Sequence, residues 1–229
     1  IEAGAELVRI TAPSKKEAEN LANIKAALNA DSVDVVFLGD SITEGWGGTS
    51  LGKSVKEKEA NAELIFMGTH GQHGWQHITG SHALKVVTSS SVPFIVVQEK
   101  GIKETGYDDI VVPMDLNKET KQKLAIVANL AQYFKSRVHV ITPDESDEFL
   151  QHQVQANIQF AKKFFSERNI EMTATLAPSS GFDKEVVKHA VNIDADLIAI
   201  MNLHKGGILN ALGTSYEKYI ITNDAKIPA

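Results

Sequence analysis

The stretch that decides the fold spans residues 62–97 and reads AELIFMGTHGQHGWQHITGSHALKVVTSSSVPFIVV. Its first part, residues 64–67, is an apolar run with the length and bulk of a buried strand. Apolar side chains then recur at helical spacing across residues 83–87, and Pro93 ends that helix. Residues 94–97 predict a second strand. The stretch is therefore predicted to form a strand, a glycine-rich loop, a helix and another strand.

The loop between this strand and this helix has the composition of a phosphate-binding site. Gly68, Gly71 and Gly74 follow the strand, and Gly80-Ser81 begins the helix. Glycines let backbone N–H groups approach an anion, while a helix N-terminus adds partial positive charge and Ser81 adds a hydroxyl. A phosphate cradle is predicted, and a glycine-rich connecting turn is the alternative.

The loop resembles the signature of the universal stress protein family, in which a glycine pair is followed at a fixed distance by Gly-Ser. Here eight residues separate the glycine pair from Gly80-Ser81, one fewer than is usual. Family members that keep the glycines hold ATP or a related adenine nucleotide at this loop, and others bind none. The resemblance implies an adenine-nucleotide site formed by Met67, Gly68, Gly71, Gly80, Ser81 and His82, with Asp115 on the adenine side.

Asp115 has two interpretations at this point. It follows the predicted strand 110–112 in the position of the family's acidic residue, where a carboxylate can accept a hydrogen bond from an exocyclic amine. Together with Asn117 it could instead cap the helix that follows. Both interpretations stay open.

The composition is that of an ordinary globular protein, with 43% hydrophobic and 23% charged residues among 229. A net charge of −6 argues against a general nucleic-acid binder, because a phosphate backbone calls for a basic face. The absence of cysteine excludes disulfides and thiolate-bound metals and fits a cytoplasmic location. No apolar run is long enough to span a bilayer, so neither nucleic acid nor membrane is expected as a partner.

Strands and helices alternate along the chain, which predicts an α/β fold with parallel sheets and helices on both faces. The resemblance implies two open, Rossmann-like modules of the adenine nucleotide alpha-hydrolase type. The first module is placed at residues 1–100, with an atypical or incomplete N-terminal part. A polar linker follows at 101–106, and the second module spans 107–229 without its last strand.

Each module is predicted from its own run of periodic segments. In the first module, strands are expected at 5–12, 33–38, 64–67 and 94–97. In the second, strands are expected at 110–112, 138–141, 170–176 and 197–200, with helices at 118–134, 151–168 and 183–191 and a loop beginning at Pro143.

The second module repeats the first. The sequence AELIFMGTHGQHGWQHITGS lies over ADLIAIMNLHKGGILNALGT, 133 residues farther on, without a gap. Gly68 falls on Met201 and Gly71 on His204, and a side chain at either place blocks close approach to phosphate. The second loop is therefore predicted to be degenerate. Conversely, no counterpart of the strand DDIVVPMDL, residues 108–116, precedes Ala5 in the first module.

A competing motif lies in the first quarter of the chain. Residues 36–46, VFLGDSITEGW, resemble the first block of the SGNH, or GDSL-type, ester hydrolases, which would make Ser41 a nucleophile. Such an enzyme also needs an asparagine block, G-x-N-D, and a histidine block, D-x-x-H, and neither is present. Ser41 without a paired histidine is an ordinary alcohol. A serine hydrolase stays an alternative, but no catalytic residue is assigned and enzymatic activity is not expected.

Four histidines crowd the glycine-rich loop: His70, His73, His77 and His82. Their spacing could suit a metal, but no carboxylate lies among them, so they are predicted to line a polar, anion-facing loop and no metal site is assigned.

These observations predict a cytoplasmic tandem universal stress protein with a regulatory role, binding an ATP-like nucleotide through its first module. A stress-protein scaffold without nucleotide is the second alternative. Association is expected through the terminal strand Phe94–Val97, between modules or in a homodimer, because a short apolar strand that ends a module leaves an edge free to pair.

Overall fold

In a computed structural model, the chain divides into two units. Unit 1 comprises Ile1–Glu104, His204–Thr214 and Pro228–Ala229, and unit 2 comprises Thr105–Leu203 and Ser215–Ile227. The predicted module boundaries and the linker at 101–106 stay a prediction. The structure describes residues 8–9, 35–38, 64–68, 92–97, 100–116, 121, 123–201 and 215–229.

Unit 1 contains a parallel sheet of four short strands in the order β1-β2-β3-β4. Its strands are β1 (Val8–Arg9), β2 (Val35–Leu38), β3 (Leu64–Gly68) and β4 (Phe94–Val97). The two strands predicted from the deciding stretch are β3 and β4, and they pair with Ile65 opposite Phe94. Ile65 is fully buried and Ile95 nearly so, as expected for strands covered on both faces. The predicted parallel arrangement is confirmed for this sheet.

The side of β4 away from β3 is paired at one point. Val96 N donates to Ala229 O at 2.7 Å, and Ala229 N donates to Val96 O at 3.2 Å. An exchange of both bonds between two opposite residues is the antiparallel hydrogen-bonded pair. The last residue of the chain therefore lies against the strand that ends the deciding stretch.

Unit 2 contains a second parallel sheet of four strands, in the order β7-β6-β5-β8. Its strands are β5 (Asp109–Pro113), β6 (Arg137–Asp144), β7 (Met172–Pro178) and β8 (Leu197–Ile198). All five residues of β5 are buried, because β6 and β8 flank it and its sequence is rich in β-branched side chains. The repeat offset of 133 residues matches the structure, since β3 begins at Leu64 and β8 at Leu197.

Four helices of unit 2 are described: α1 (Lys123–Phe134), α2 (Glu148–Ser166), α3 (Phe182–Asn192) and α4 (Ser215–Ile221). The chain steps from β5 to β6 to β7 in one direction and then returns to β8, beside β5. Because such crossovers are right-handed, α1 and α2 lie on one face of the sheet and α3 on the other. Helices therefore cover both faces, as the sequence predicts.

The three longer helices end in the same way. A residue with positive φ follows each one, namely Lys135 at 58°, Asn169 at 56° and Asp194 at 51°. The next residue then donates to the carbonyl five positions back, as Ala195 N does to Ala190 O at 2.8 Å. This closing bond satisfies a carbonyl of the last helical turn and directs the chain into the next strand.

The prediction of a loop beginning at Pro143 is wrong, because β6 continues to Asp144. Along β6 the odd-numbered residues face β5, and the last bond between the two strands runs from Met114 N to Ile141 O. Pro143 comes after that bond, so its missing N–H faces a side where pairing has already ended. Proline is therefore tolerated inside this strand.

Helix α1 begins five residues later than predicted, and the other boundaries moved by one to three residues, as is usual at element ends. Strand β7 begins two residues later than predicted, α2 three residues earlier, and β8 is two residues long rather than four. In the first module the helical and glycine-rich segments between strands lie outside the described residues.

Candidate functional site

The carboxyl end of β3 holds the first two residues of the predicted nucleotide site. Met67 and Gly68 close this strand, and Met67 is paired with Leu38 of β2 on one side and Val96 of β4 on the other. In α/β sheets of this kind ligands bind outside the carboxyl ends of the strands. Met67 and Gly68 therefore lie at the edge where a ligand is expected. The remaining predicted residues of this loop, Gly71, Gly80, Ser81 and His82, lie outside the described residues.

Strand β2 is the counterpart of β5, which corrects the inference that the first module lacks this strand. Leu64 of β3 pairs with Val35, and its equivalent in β8, Leu197, pairs with Ile110. The sequences VVFLGD and IVVPMD thus correspond residue by residue. A search for an apolar run followed by aspartate would have found the match. By this count Asp40, which lies outside the described residues, corresponds to Asp115.

Asp115 belongs to unit 2, whereas Met67 and Gly68 belong to unit 1. It is partly buried directly after β5, and its backbone carbonyl accepts a bond from Asn157 Nδ2 at 3.2 Å. The connection that leads to it is also held by Met114 N, which donates to Ile141 O at 2.8 Å. The backbone on either side of Met114 is therefore fixed, and Asp115 has a defined place at the carboxyl edge of the second sheet.

A buried lysine adjoins this edge of unit 2. The side chain of Lys123, in the first turn of α1, donates from Nζ to Pro113 O. Burial lowers the pKa of Lys123 to about 7, although the negative charge of Asp115 acts to raise it. This lysine was not singled out from the sequence, because a lysine near the start of a helix is normally solvated.

A second polar cluster lies at the opposite, amino ends of the strands. Asp109 accepts bonds from Arg137 and from His139 Nε2, each at 2.7 Å, and His139 Nδ1 lies 2.9 Å from Thr173 Oγ1. Burial by itself raises the pKa of Asp109, but the hydrogen bonds and charges of Arg137 and His139 lower it by more, so the net pKa is below its ordinary value. Behind His139 lies His189, whose pKa is lowered by burial and by the neighbouring imidazole.

The bonds from Thr173 through His139 to Asp109 have the order of a hydroxyl–imidazole–carboxylate relay. An ionised Asp109 accepts a hydrogen bond from the Nε2–H group of His139, which leaves Nδ1 of a neutral ring to accept one from the Thr173 hydroxyl. Acyl transfer would further require a bound substrate and oxyanion donors. Thr173 stands on an exposed strand, so the cluster is best explained as an ion-pair network that joins β5, β6 and β7.

A cavity of about 270 Å³ opens at the carboxyl ends of β6 and β7. Its lining combines the apolar side chains of Val154 and Leu176 with the acidic side chains of Asp144 and Glu145. The full lining is Pro143, Asp144, Glu145, Gln151, His152, Val154, Gln155 and Leu176. Since it lies beyond β6, away from the β5–β8 junction, it is separate from the edge that carries Asp115.

The remaining sequence candidates are not placed by the structure. Ser41 and the four histidines of the glycine-rich loop lie outside the described residues. In the part of the chain that the structure does describe, no group of three or more metal-ligating side chains converges. Within the same residues, no helix combines the length and apolar character needed to cross a membrane.

Residues 6–98 match the sequence profile of the universal stress protein family. Over this part of the first unit the chain is therefore similar to the universal stress protein family. The matched region includes both the glycine-rich loop and the hydrolase-like block around Ser41, so one family profile accounts for the residues that had suggested two different proteins. A comparison with curated protein sequences gives no match.

Solved structures extend the likeness in fold to the whole chain. A universal stress protein from Archaeoglobus fulgidus is 14% identical, with 97% of this chain and 93% of that chain covered and a TM-score of 0.66. A putative universal stress protein from Pseudomonas aeruginosa is 13% identical, with coverage of 94% and 87% and a TM-score of 0.56. The chain therefore has the universal stress protein fold in both units. A further universal stress protein, solved in complex with cAMP, is 15% identical over 50% of this chain, with a TM-score of 0.43.

Proposed function

We propose that this chain is a universal stress protein that binds an adenine nucleotide, ATP or a close relative, at the carboxyl edge of the first sheet and acts as a cytoplasmic stress regulator. The observation that carries the proposal is the position of Met67 and Gly68. They end a strand paired on both sides, and the glycine-rich sequence that follows lies inside the family match. A phosphate approaching that edge would meet backbone donors where glycine leaves room.

The proposed site uses backbone N–H groups of the glycines for the phosphates and the Ser81 hydroxyl as a further donor. The sequence predicts Asp115 as the carboxylate for the adenine amine. Because Asp115 belongs to unit 2, we assign this role in the first site to Asp40, its equivalent within unit 1 by strand register. Nothing in the described residues favours hydrolysis of the nucleotide, and the serine hydrolase alternative gains no support from the family match. The proposal is therefore one of binding and regulation.

The first prediction tests the glycine loop. Gly71→His places in the first loop the residue that the second loop carries at His204. Each lost charge-assisted backbone contact is worth about 1.5–3 kcal/mol, or roughly ten- to a hundred-fold in affinity. Titration calorimetry with ATP should show that loss for Gly71→His, whereas His204→Gly should leave the affinity of the first site unchanged.

Thermal unfolding of both variants controls for folding, since a folded Gly71→His protein is needed for the comparison. Acid extraction of the purified parent protein, followed by chromatography, adds an independent readout of a co-purified adenine nucleotide. If folded Gly71→His bound ATP as tightly as the parent, the first loop would not be the site. A parent protein without measurable affinity for ATP, ADP or cAMP would favour the nucleotide-free scaffold.

A further inference from the structure

Strand β7 (Met172–Pro178) forms an edge of the second sheet, and no described strand lies along its outer side. It pairs with β6 alone among the described strands. Four consecutive residues, 173–176, are exposed, and Leu176 keeps 46% of its surface accessible. An exposed edge strand presents a row of backbone donors and acceptors that can pair with another chain.

The register shows which backbone groups face outward. Val138 N donates to Glu171 O, and Val138 is the partner of Met172. In a parallel ladder the bonds to the neighbour therefore use the odd-numbered residues of β7, while the N–H and C=O groups of Met172, Ala174 and Leu176 point away from β6. Three residues thus offer both a donor and an acceptor along the open side.

The sequence of β7, MTATLAP, lacks the features that usually protect an edge. None of its seven residues is charged, and Pro178 stands only at its end. Natural edge strands are commonly blocked by lysine, by an inward-pointing charge or by a bulge. The composition therefore leaves the outer side of this strand open to pairing.

The same seven residues are self-complementary about Ala174. If a second β7 lies antiparallel with a two-fold axis at Ala174, Met172 faces Leu176 and Thr173 faces Thr175. Apolar side chains then meet on one face and threonines on the other, and threonine pairs are a favourable cross-strand combination. The outward groups of Met172, Ala174 and Leu176 all fall in hydrogen-bonded pairs, and the strand has no charge that would repel its partner.

We propose that β7 pairs antiparallel with β7 of a second copy of this chain, so that the second sheets of two molecules join into one. The pairing covers the exposed part of Leu176 with Met172 of the partner. The Thr173 hydroxyl keeps its contact with His139, because that bond lies on the sheet face and not along the edge. One strand pair is a small interface, so the dimer forms in a concentration-dependent way. The two-fold symmetry closes the assembly at two copies.

The second prediction tests this interface with charges at the two-fold axis. Ala174→Lys and Ala174→Glu each place like charges opposite one another, so each variant alone should lose the dimer seen for the parent by sedimentation velocity over a concentration series. Mixed in equal amounts, the two variants bring lysine opposite glutamate and should recover a dimer. Recovery in the mixture shows that both variants fold.

Ala156→Lys, on the exposed surface of α2, is the matched control for added charge and should associate as the parent does. Ala174→Pro is a further variant. It removes the two central N–H donors, leaves the bonds to β6 intact, and should weaken dimerisation about tenfold or more. The proposal is overturned if the parent stays monomeric, if both charged variants associate like the parent, or if their mixture stays monomeric.

Discussion

Lys123 shows how one residue couples the fold to pH. The residue keeps 5% of its surface accessible, and burial lowers its pKa from 10.5 to about 7. Between those two values the unfolded chain holds a proton that the folded chain has released. The unfolding free energy therefore rises with pH across this window, with a slope of at most about 1.4 kcal/mol per pH unit for one proton.

The third prediction follows from that linkage. Lys123→Met keeps the length of the side chain and removes the buried amine, so the variant should be more stable than the parent near pH 7. The difference should shrink as the pH rises toward 10.5. Urea unfolding at several pH values measures both effects, and Lys162→Met, at an exposed position of α2, is the control. A difference that stays constant with pH would contradict the assignment.

Residues that interact across strands could not be predicted from the sequence, because their contacts form only in the folded sheet. Asp109, His139 and Thr173 come from three strands separated by about thirty residues each, and only the register brings them into contact. By contrast, Met67 and Gly68 were predicted as site residues from a single local sequence motif. Local patterns identify a loop, whereas networks across strands require the sheet.

At the scale of elements, the strands were the most predictable part of the fold. β3, β4 and β5 are continuous runs of apolar, mostly β-branched or aromatic residues, and each was placed to within a residue or two. Helix ends were less visible, because Lys135, Asn169 and Asp194 take the positive-φ position where glycine is the usual signal. Tertiary packing holds these residues in a positive-φ conformation that their residue types do not predict.

The fourth prediction compares two glycines that do carry positive φ. Gly106 has φ +96°, and an added Cβ would lie 2.1 Å from Cδ1 of Phe134, at the end of α1. Gly181, which precedes α3, has φ +67° and open space around it. Gly106→Ala should therefore cost about 2–4 kcal/mol, from backbone strain plus overpacking, and Gly181→Ala only about 1–2 kcal/mol. Denaturant unfolding followed by circular dichroism measures both, and equal losses would show that the packing of Phe134 adjusts freely.

At the scale of the whole molecule, the internal repeat is the feature that the sequence and the structure explain together. The offset of 133 residues aligned β3 with β8, and strand pairing then aligned β2 with β5. Sequence comparison missed the second correspondence because VVFLGDS had been assigned to a hydrolase motif. The register is independent of that motif, so it shows that the pair β2–β3 in unit 1 corresponds to the pair β5–β8 in unit 2.

The fifth prediction uses this correspondence to ask which unit holds the nucleotide. An aspartate follows the corresponding strand of each unit, Asp40 after β2 and Asp115 after β5. At the end of the neighbouring strand only unit 1 has a glycine, because Gly68 corresponds to Met201. A side chain at Met201 takes up space that a phosphate needs, so one nucleotide per chain is expected.

Asp40→Asn replaces a charged acceptor for the adenine amine and should weaken binding roughly ten- to a hundred-fold. Asp115→Asn is the matched control and should leave both the affinity and the stoichiometry in calorimetry unchanged. If Asp115→Asn alone weakened binding, the carboxylate on the adenine side would be the one in unit 2, and a stoichiometry of two would show that the second loop is not degenerate.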